Sequence, residues 1–171
     1  MYLKKFIYVN WGNVPNTELE FGPISLFSGG NGSGKTTAAD AVQTIMTAAH
    51  DNLFHFNPGQ DESSQRGRGK QVRTLASYVL GCDDGAYARP DGCFGYLAAV
   101  FYPTRGENSE PFSVLIGMQA QLETAGQQKV ARLDDIQYFI LPDVQLALKD
   151  LRKEDSGGAY VVPLDRIYAS L

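Results

Sequence analysis

The residues best suited to chemistry form one glycine-rich stretch near the start of the 171-residue chain. The stretch fits the pattern G-x-x-x-x-G-K-[ST], in which glycines adopt positive φ angles and expose consecutive N–H groups to an anion. A helix that begins directly after it aims its N-terminal partial positive charge at the same anion. The pattern predicts a binding site for the phosphates of a nucleoside triphosphate, formed by Gly29, Gly30, Asn31, Gly32, Ser33, Gly34, Lys35 and Thr36.

Three side chains or backbone groups at the end of this loop have separate expected tasks. The Lys35 ammonium is expected to bridge β- and γ-phosphate oxygens, and the Thr36 hydroxyl to bind Mg²⁺. Thr37 follows on the first helical turn and is expected near the α-phosphate. The predicted ligands are therefore ATP and Mg²⁺.

The elements around the loop are readable from the spacing of apolar residues. Residues 24–27 are apolar and end at the loop, which predicts a short strand before it. A helix is predicted from Lys35 to near His50, because apolar residues recur there at steps of three and four. Residues 3–9 and 17–21 are predicted to form an antiparallel pair joined by a turn at 10–16.

The remainder of the chain reads mainly as strands. Strands are predicted at 94–102, 112–118 and 136–141, a polar loop at 119–129, and a helix from Pro142. Ser156, Gly157 and Gly158 read as a turn before a last strand at 159–164. The predicted fold is a single α/β domain over 1–171, with a mixed sheet and an antiparallel β subdomain.

Composition excludes several classes of protein. The net charge is −4, so nucleic-acid binding would need a local basic patch rather than a global field. No apolar run approaches the roughly 20 residues that span a membrane. Two cysteines, Cys82 and Cys93, supply neither a zinc quartet nor a disulfide framework, so a reducing cytoplasm is expected.

Hydrolysis in this class needs an acidic residue after an apolar strand, where it holds Mg²⁺ and activates water. The nearest match is the run 139–143, and Pro142 interrupts it before Asp143. Asp134 and Asp135 follow only one apolar residue. No L-S-G-G signature opens a helix. The sequence thus predicts a nucleotide site without a complete catalytic site.

The early part of the chain resembles the N-terminal part of an SMC-type ATPase head. The resemblance rests on a strand near residue 3, N-W-G at 10–12, F-S-G-G-N-G-S-G-K-T at 27–36 and D-A-V at 40–42. F-H-F-N-P at 54–58 and R-T-L-A-S-Y-V-L-G at 73–81 are similar to bacterial MukB/MksB-like proteins, especially the JetC-type subunit of Wadjet plasmid-defence systems. Beyond Gly81 the resemblance is weak.

This resemblance implies that the chain is one lobe of a split head of the ABC/SMC type. A coiled coil and a C-terminal lobe with the signature and acidic Walker B motifs would then lie after Leu171. ATP would be held between two heads, and kleisin-type and accessory subunits and DNA would be partners in the full complex. The resemblance also implies that the protein lies in the cytoplasm at the nucleoid, without membrane contact. Its implied role is in chromosome organisation or plasmid defence.

The segment 65–73 is basic with glycines between its charges, and it has three possible roles: contact with DNA, contact with nucleotide phosphates, or no function beyond a surface loop. Arg66, Arg68 and Lys70 are candidates for DNA phosphate contacts. Arg73 is the best candidate to reach nucleotide phosphates, since the apolar residues that follow it would fix its position. The plain reading is a solvated surface loop.

Four further residues are weighed between two roles. Trp11 could stack on the adenine, as the turn after the first strand lies near the base in ABC-like heads, or pack in the core. Asp40 is expected to have a structural role within the helix. Gln119 and Gln121 follow a strand and could link Mg²⁺ to water, although the match to ABC-like sites is weak.

Three alternative functions stay open at this point. A RecF/RecN-like DNA-repair ATPase lobe shares the early motif. A small stand-alone P-loop kinase or GTPase would need an acidic Mg²⁺ strand or an N-K-x-D motif, and neither is present in the sequence. A nucleotide sensor without turnover would need only the loop.

Overall fold

The computed structural model describes residues 1–50, 52–53, 55–56, 73–83 and 86–171. In chain order its elements are β1 (Tyr2–Val9), β2 (Thr17–Glu20), α1 (Lys35–Met46), α2 (Leu75–Leu80), β3 (Cys82–Asp83), β4 (Ala86–Tyr87), β5 (Cys93–Tyr102), β6 (Phe112–Ala125), β7 (Gln128–Pro142), α3 (Leu148–Leu151), β8 (Arg152–Asp155), β9 (Gly158–Val161) and a 3₁₀ helix (Leu164–Ser170). No helix in this part of the chain is long and apolar enough to cross a membrane.

One five-stranded sheet in the order β2-β1-β5-β6-β7 forms the framework, and each neighbouring pair in it is antiparallel. Strand β1 lies inside this sheet and is apolar on both sides. Phe6 and Tyr8 point to one face, and Ile7 and Val9 to the other, because successive side chains of a strand alternate. The sheet is therefore packed on both faces at β1.

Different elements pack on the two faces of the sheet. Helices α1 and α2 pack on the face of Phe6 and Tyr8, where Ala38, Ala41 and Val79 are buried. The segment after β7 covers the opposite face with five buried apolar side chains, Leu146, Leu151, Val162, Leu164 and Ile167. The sheet thus carries the helix of the glycine loop on one side and the segment after β7, residues 143–171, on the other.

The predicted pair of N-terminal strands is confirmed, with Phe6 opposite Leu19 and Tyr8 opposite Thr17. The predicted mixed sheet is wrong, since no parallel pair occurs among the described strands. The predicted strand at 24–27 is also wrong, because none of the described strands hydrogen-bonds with it. Ile24 and Leu26 are 93% and 87% exposed as a result.

The polar stretch 119–129 is not the predicted loop but the distal part of a long β6–β7 hairpin. A two-residue turn at 126–127 joins its strands, and Gly126 there has φ 64°. Cross-strand polar pairs link Arg132 to Glu123, and Gln121 to Asp134 at 3.1 Å. These pairs explain why residues of low strand propensity form strands here.

Two smaller predictions for the final third are also corrected. The helix expected at Pro142 is replaced by α3, a single turn that begins at Leu148, because Pro142 still pairs with Phe112 in the sheet. The last strand is shorter than predicted and pairs with β8 in a hairpin. The turn predicted at 156–158 joins β8 to β9, since residues 156–157 lie between them.

Candidate functional site

The glycine loop connects the exposed segment 24–27 to the first turn of α1. Gly29, Gly32 and Gly34 have φ angles of 151°, 77° and 87°, in the region that side chains rarely enter. Gly34 is the N-cap of α1, and no side chain caps the helix there. The first N–H groups of the helix therefore point out of its N-terminus without intrahelical acceptors, as an anion site requires.

The loop is shaped so that a phosphate chain can approach it closely. Gly29 has a φ angle that strains any other residue, and a Cβ atom there would lie 2.6 Å from the Ser33 hydroxyl, so this position favours glycine. A Cβ atom at Gly30 or Gly32 would meet no atom within 4 Å, which means that this side of the loop is open. The residues present thus fit a nucleoside triphosphate.

Lys35 lies against the loop rather than extending into solvent. Its ammonium donates to the carbonyl oxygens of Gly29 at 2.6 Å and Gly30 at 2.7 Å, and to the Ser33 hydroxyl at 3.3 Å. The cation is therefore already held where phosphate oxygens would gather. Thr36 is exposed at the helix start, while Thr37 is buried beneath it.

The comparison with known families agrees with this geometry. A family model described as the P-loop containing region of AAA domain matches residues 3–62, about a third of the chain. Residues 3–62 are therefore similar to the nucleotide-binding P-loop region of that family. No curated protein matches the chain. The P-loop segment includes β1, β2, the glycine loop and α1, so the matched region and the structural site coincide.

Trp11 does not offer a face to a nucleotide base. Its side chain is 0% exposed and stacks on Tyr78 at a ring distance of 4.5 Å and an interplanar angle of 12°. Its indole N–H donates to the Thr37 carbonyl at 2.8 Å. The adenine-stacking reading is therefore wrong and the core reading is right: Trp11 supports the first turn of α1 from below.

Asp40 has the structural role that the sequence predicted. It is fully buried on α1 and accepts a hydrogen bond from the Tyr78 hydroxyl. Burial, together with the hydrogen bond and charge of Asp40, raises the pKa of the Tyr78 hydroxyl, which keeps it protonated as a donor. The pair fixes α2 against the second turn of the P-loop helix.

Arg73 is engaged by the same tyrosine. Its guanidinium donates to the Tyr78 hydroxyl at 3.1 Å and lies 5.6 Å from the centre of the ring. Its described hydrogen bond is thus to α2 and not to the loop at 29–36. A contact of Arg73 with nucleotide phosphates stays a prediction.

Replacing Tyr78 with phenylalanine is expected to destabilise the fold by about 1.5–3 kcal/mol, because a buried carboxylate loses a donor. Urea unfolding followed by circular dichroism measures the change. Tyr8→Phe is the matched control, since its buried hydroxyl donates to the neutral carbonyl of Ala38 at 3.3 Å. That control is expected to cost about 0.5–1.5 kcal/mol. An equal or smaller loss for Tyr78→Phe would contradict the role given to the Asp40 pair.

The remaining polar candidates separate into two groups. Gln119 and Gln121 lie within β6, opposite Asp135 and Arg132 of the hairpin, and not at the end of a strand. The weak Mg²⁺-linking prediction for them assumed a loop and is wrong on that point. The DNA candidates Arg66, Arg68 and Lys70 lie outside the described residues.

Two residues near the site were not predicted from the sequence. Asn13 contacts the glycine loop, and Arg89 hydrogen-bonds the backbone of the turn before it. Arg89 lies 77 residues from Gly12 along the chain, so no local pattern brings the two together. The only sequence feature that could have pointed to Asn13 is its position in the turn between β1 and β2, ahead of the glycine loop.

Proposed function

We propose that this chain is the ATP-binding N-terminal lobe of an SMC-like ATPase head, which hydrolyses ATP only with a C-terminal lobe and a second head. The proposal rests on one observation: the phosphate-binding loop is accessible to a ligand, and the apolar segment 24–27 directly before it is exposed. The cradle supplies binding groups from the loop and α1. The apolar segment is the surface that a C-terminal lobe would cover in a complete head.

Binding of the phosphates is assigned to the loop N–H groups and Lys35, whose ammonium can exchange carbonyl acceptors for phosphate oxygens. Thr36 is the residue that would hold Mg²⁺, since its exposed position at the helix start leaves the hydroxyl accessible. The ion, when bound, neutralises charge on the phosphates. Lys35 and the helix N-terminus orient the triphosphate on the same side.

The uncovered segment supports a second lobe. Ile24 and Leu26 are almost fully exposed directly before the loop, and Met46 at the end of α1 is 65% exposed. Large apolar side chains exposed directly beside a binding loop, as Ile24 and Leu26 are, favour burial against another protein surface. A C-terminal lobe that covers residues 24–27 would also bring its own residues to the cradle.

The acidic residues of the hairpin do not supply the missing catalytic group. Asp135 accepts hydrogen bonds from the backbone N–H of Ile136 and the side chain of Gln137, both at 2.9 Å. Asp134 accepts one from Gln121 at 3.1 Å. Both carboxylates are therefore used within the hairpin, which favours a half-site over a stand-alone NTPase.

The finer assignment follows the sequence resemblance. The stretches 54–58 and 73–81 favour a MukB/MksB-like protein of the JetC type, with DNA, kleisin-type and accessory subunits as partners and the nucleoid as its place. Within that complex, Arg66, Arg68 and Lys70 are proposed to contact DNA phosphates. Nucleotide-driven engagement of two heads would then move or extrude DNA.

The test separates binding from turnover in the 171-residue chain. Titration calorimetry is expected to give saturable ATP binding that is stronger with Mg²⁺, while phosphate release under single-turnover conditions stays at the level of buffer. Binding is expected because the loop offers its N–H groups and the Lys35 ammonium to the phosphates. Turnover is not expected, because the carboxylates of Asp134 and Asp135 are engaged within the hairpin.

Two results would overturn the proposal. Absence of ATP binding would refute the nucleotide site itself. Phosphate release by this chain alone, abolished by Lys35→Ala, would show a self-sufficient NTPase and refute the half-site.

A further inference from the structure

We propose that Asn13 is a positioning residue that sets the backbone of the glycine loop for phosphate binding. The inference rests on the proposed ATP-binding function and adds a residue outside the G-x-x-x-x-G-K-[ST] pattern. Asn13 lies in the turn between β1 and β2 and reaches across to the loop.

The first contact is a hydrogen bond. The Asn13 side-chain amide donates to the Gly32 carbonyl at 3.3 Å. In a phosphate cradle the N–H groups converge on the anion, so the carbonyl groups must turn away from it. A donor on the outer side of the loop stabilises this orientation at Gly32, whose φ of 77° belongs to the left-handed region.

The second contact is steric. A Cβ atom on Gly34 would lie 3.2 Å from the Asn13 side-chain oxygen, which places that oxygen directly against the N-cap of α1. One side chain thus lies against both Gly32 and Gly34, the two glycines nearest to Lys35. It defines where the loop ends and the helix begins.

The turn that carries Asn13 is itself fixed to the fold. The Asn10 side chain donates to the Phe94 carbonyl of β5 at 2.8 Å, and the Gly12 N–H donates to the Tyr78 carbonyl at 2.7 Å. Arg89 donates to the Gly12 carbonyl at 3.1 Å and to the Val79 carbonyl at 2.7 Å. The turn is therefore a rigid support, and Asn13 transmits its position to the loop.

Asn13 is exposed, which separates positioning from stability. Loss of an exposed amide should leave the midpoint of urea unfolding unchanged. Its contacts are with loop backbone, so its loss should weaken every ligand that uses the cradle, with or without a base.

The experiment measures binding of ATP and of inorganic tripolyphosphate by Asn13→Ala, Asn13→Asp and the control Asn108→Ala, an exposed asparagine in the loop before β6. Asn13→Ala is expected to weaken both ligands by the same factor, about threefold to tenfold, as one lost hydrogen bond implies. Asn13→Asp keeps the shape, loses the donor and adds a negative charge, so a larger loss is expected. Asn108→Ala should bind as the unchanged protein does.

A second readout needs no ligand. In the ¹⁵N-labelled protein, the amide resonances of Gly32 and Gly34 are expected to move in Asn13→Ala and to stay in place in Asn108→Ala. Unmoved glycine resonances would overturn the inference. So would a loss confined to ATP, which would make Asn13 a base-recognition residue, or unaltered binding of both ligands.

Failure of the proposed function has a different signature. The unchanged protein would then bind neither ATP nor tripolyphosphate, whereas the glycine resonances would still report whether Asn13 shapes the loop. If the glycine resonances moved in that case, the positioning role of Asn13 would be supported and only the proposed ATP binding would be refuted.

Discussion

Replacement of Lys35 by alanine is expected to abolish ATP binding, with an affinity loss of about 100-fold or more. Each charge-assisted hydrogen bond contributes about 1.5–3 kcal/mol, and the ammonium is positioned to make two of them to phosphate oxygens. The structure holds this ammonium on the carbonyls of Gly29 and Gly30, at the loop where phosphates would bind. Calorimetric titration with ATP and Mg²⁺ measures the loss.

The fold should tolerate this change. The hydrogen bonds of Lys35 within the loop are exposed, so water can replace the ammonium at both carbonyls. Lys129→Ala removes an exposed lysine from the hairpin and serves as the control for lost charge. Equal ATP affinity in Lys35→Ala and Lys129→Ala would refute the phosphate site.

Replacement of Trp11 by alanine is expected to cost about 3–5 kcal/mol of the free energy of unfolding, as for other fully buried aromatic residues. The substitution removes the ring that stacks on Tyr78 and the indole donor of the Thr37 carbonyl. Domains of this kind are stable by only about 5–15 kcal/mol, so a large share of the variant would unfold on mild heating. Urea unfolding measures the loss.

Trp11→Phe separates the two contributions of this side chain. It keeps a ring beside Tyr78 and removes only the indole donor, together with part of the buried volume, so a smaller loss than for alanine is expected. If Trp11→Ala kept full stability but lost ATP affinity, the residue would act on the base after all.

The sequence predicted the parts of the site that depend on local chemistry. Glycines at 29, 32 and 34 allow the left-handed turns, and the apolar period after Lys35 gives α1. The antiparallel pair β1–β2 also follows from local alternation and a short turn. All of these features lie within residues 3–62, where the family model matches as well.

Features that depend on distant partners were not predictable. Strand formation at 24–27 needs hydrogen bonds from a neighbouring strand, and periodicity alone cannot say whether one is present. Residues 119–129 form strands because Glu123 and Gln121 meet partners across the hairpin. The supports from Arg89 and Tyr78 reach the turn at Gly12 from more than 60 residues away.

The position of β1 inside the sheet has a consequence for the order in which the molecule folds. Strand β1 pairs on one edge with nearby β2, but on its other edge Val9 pairs with Tyr96 and Tyr2 with Tyr102, much later in the chain. Contacts of this sequence separation carry a loop-closure cost and form slowly. Because the turn after β1 hydrogen-bonds to Phe94 of β5, we expect the support of the glycine loop to be complete only after β5 has been synthesised.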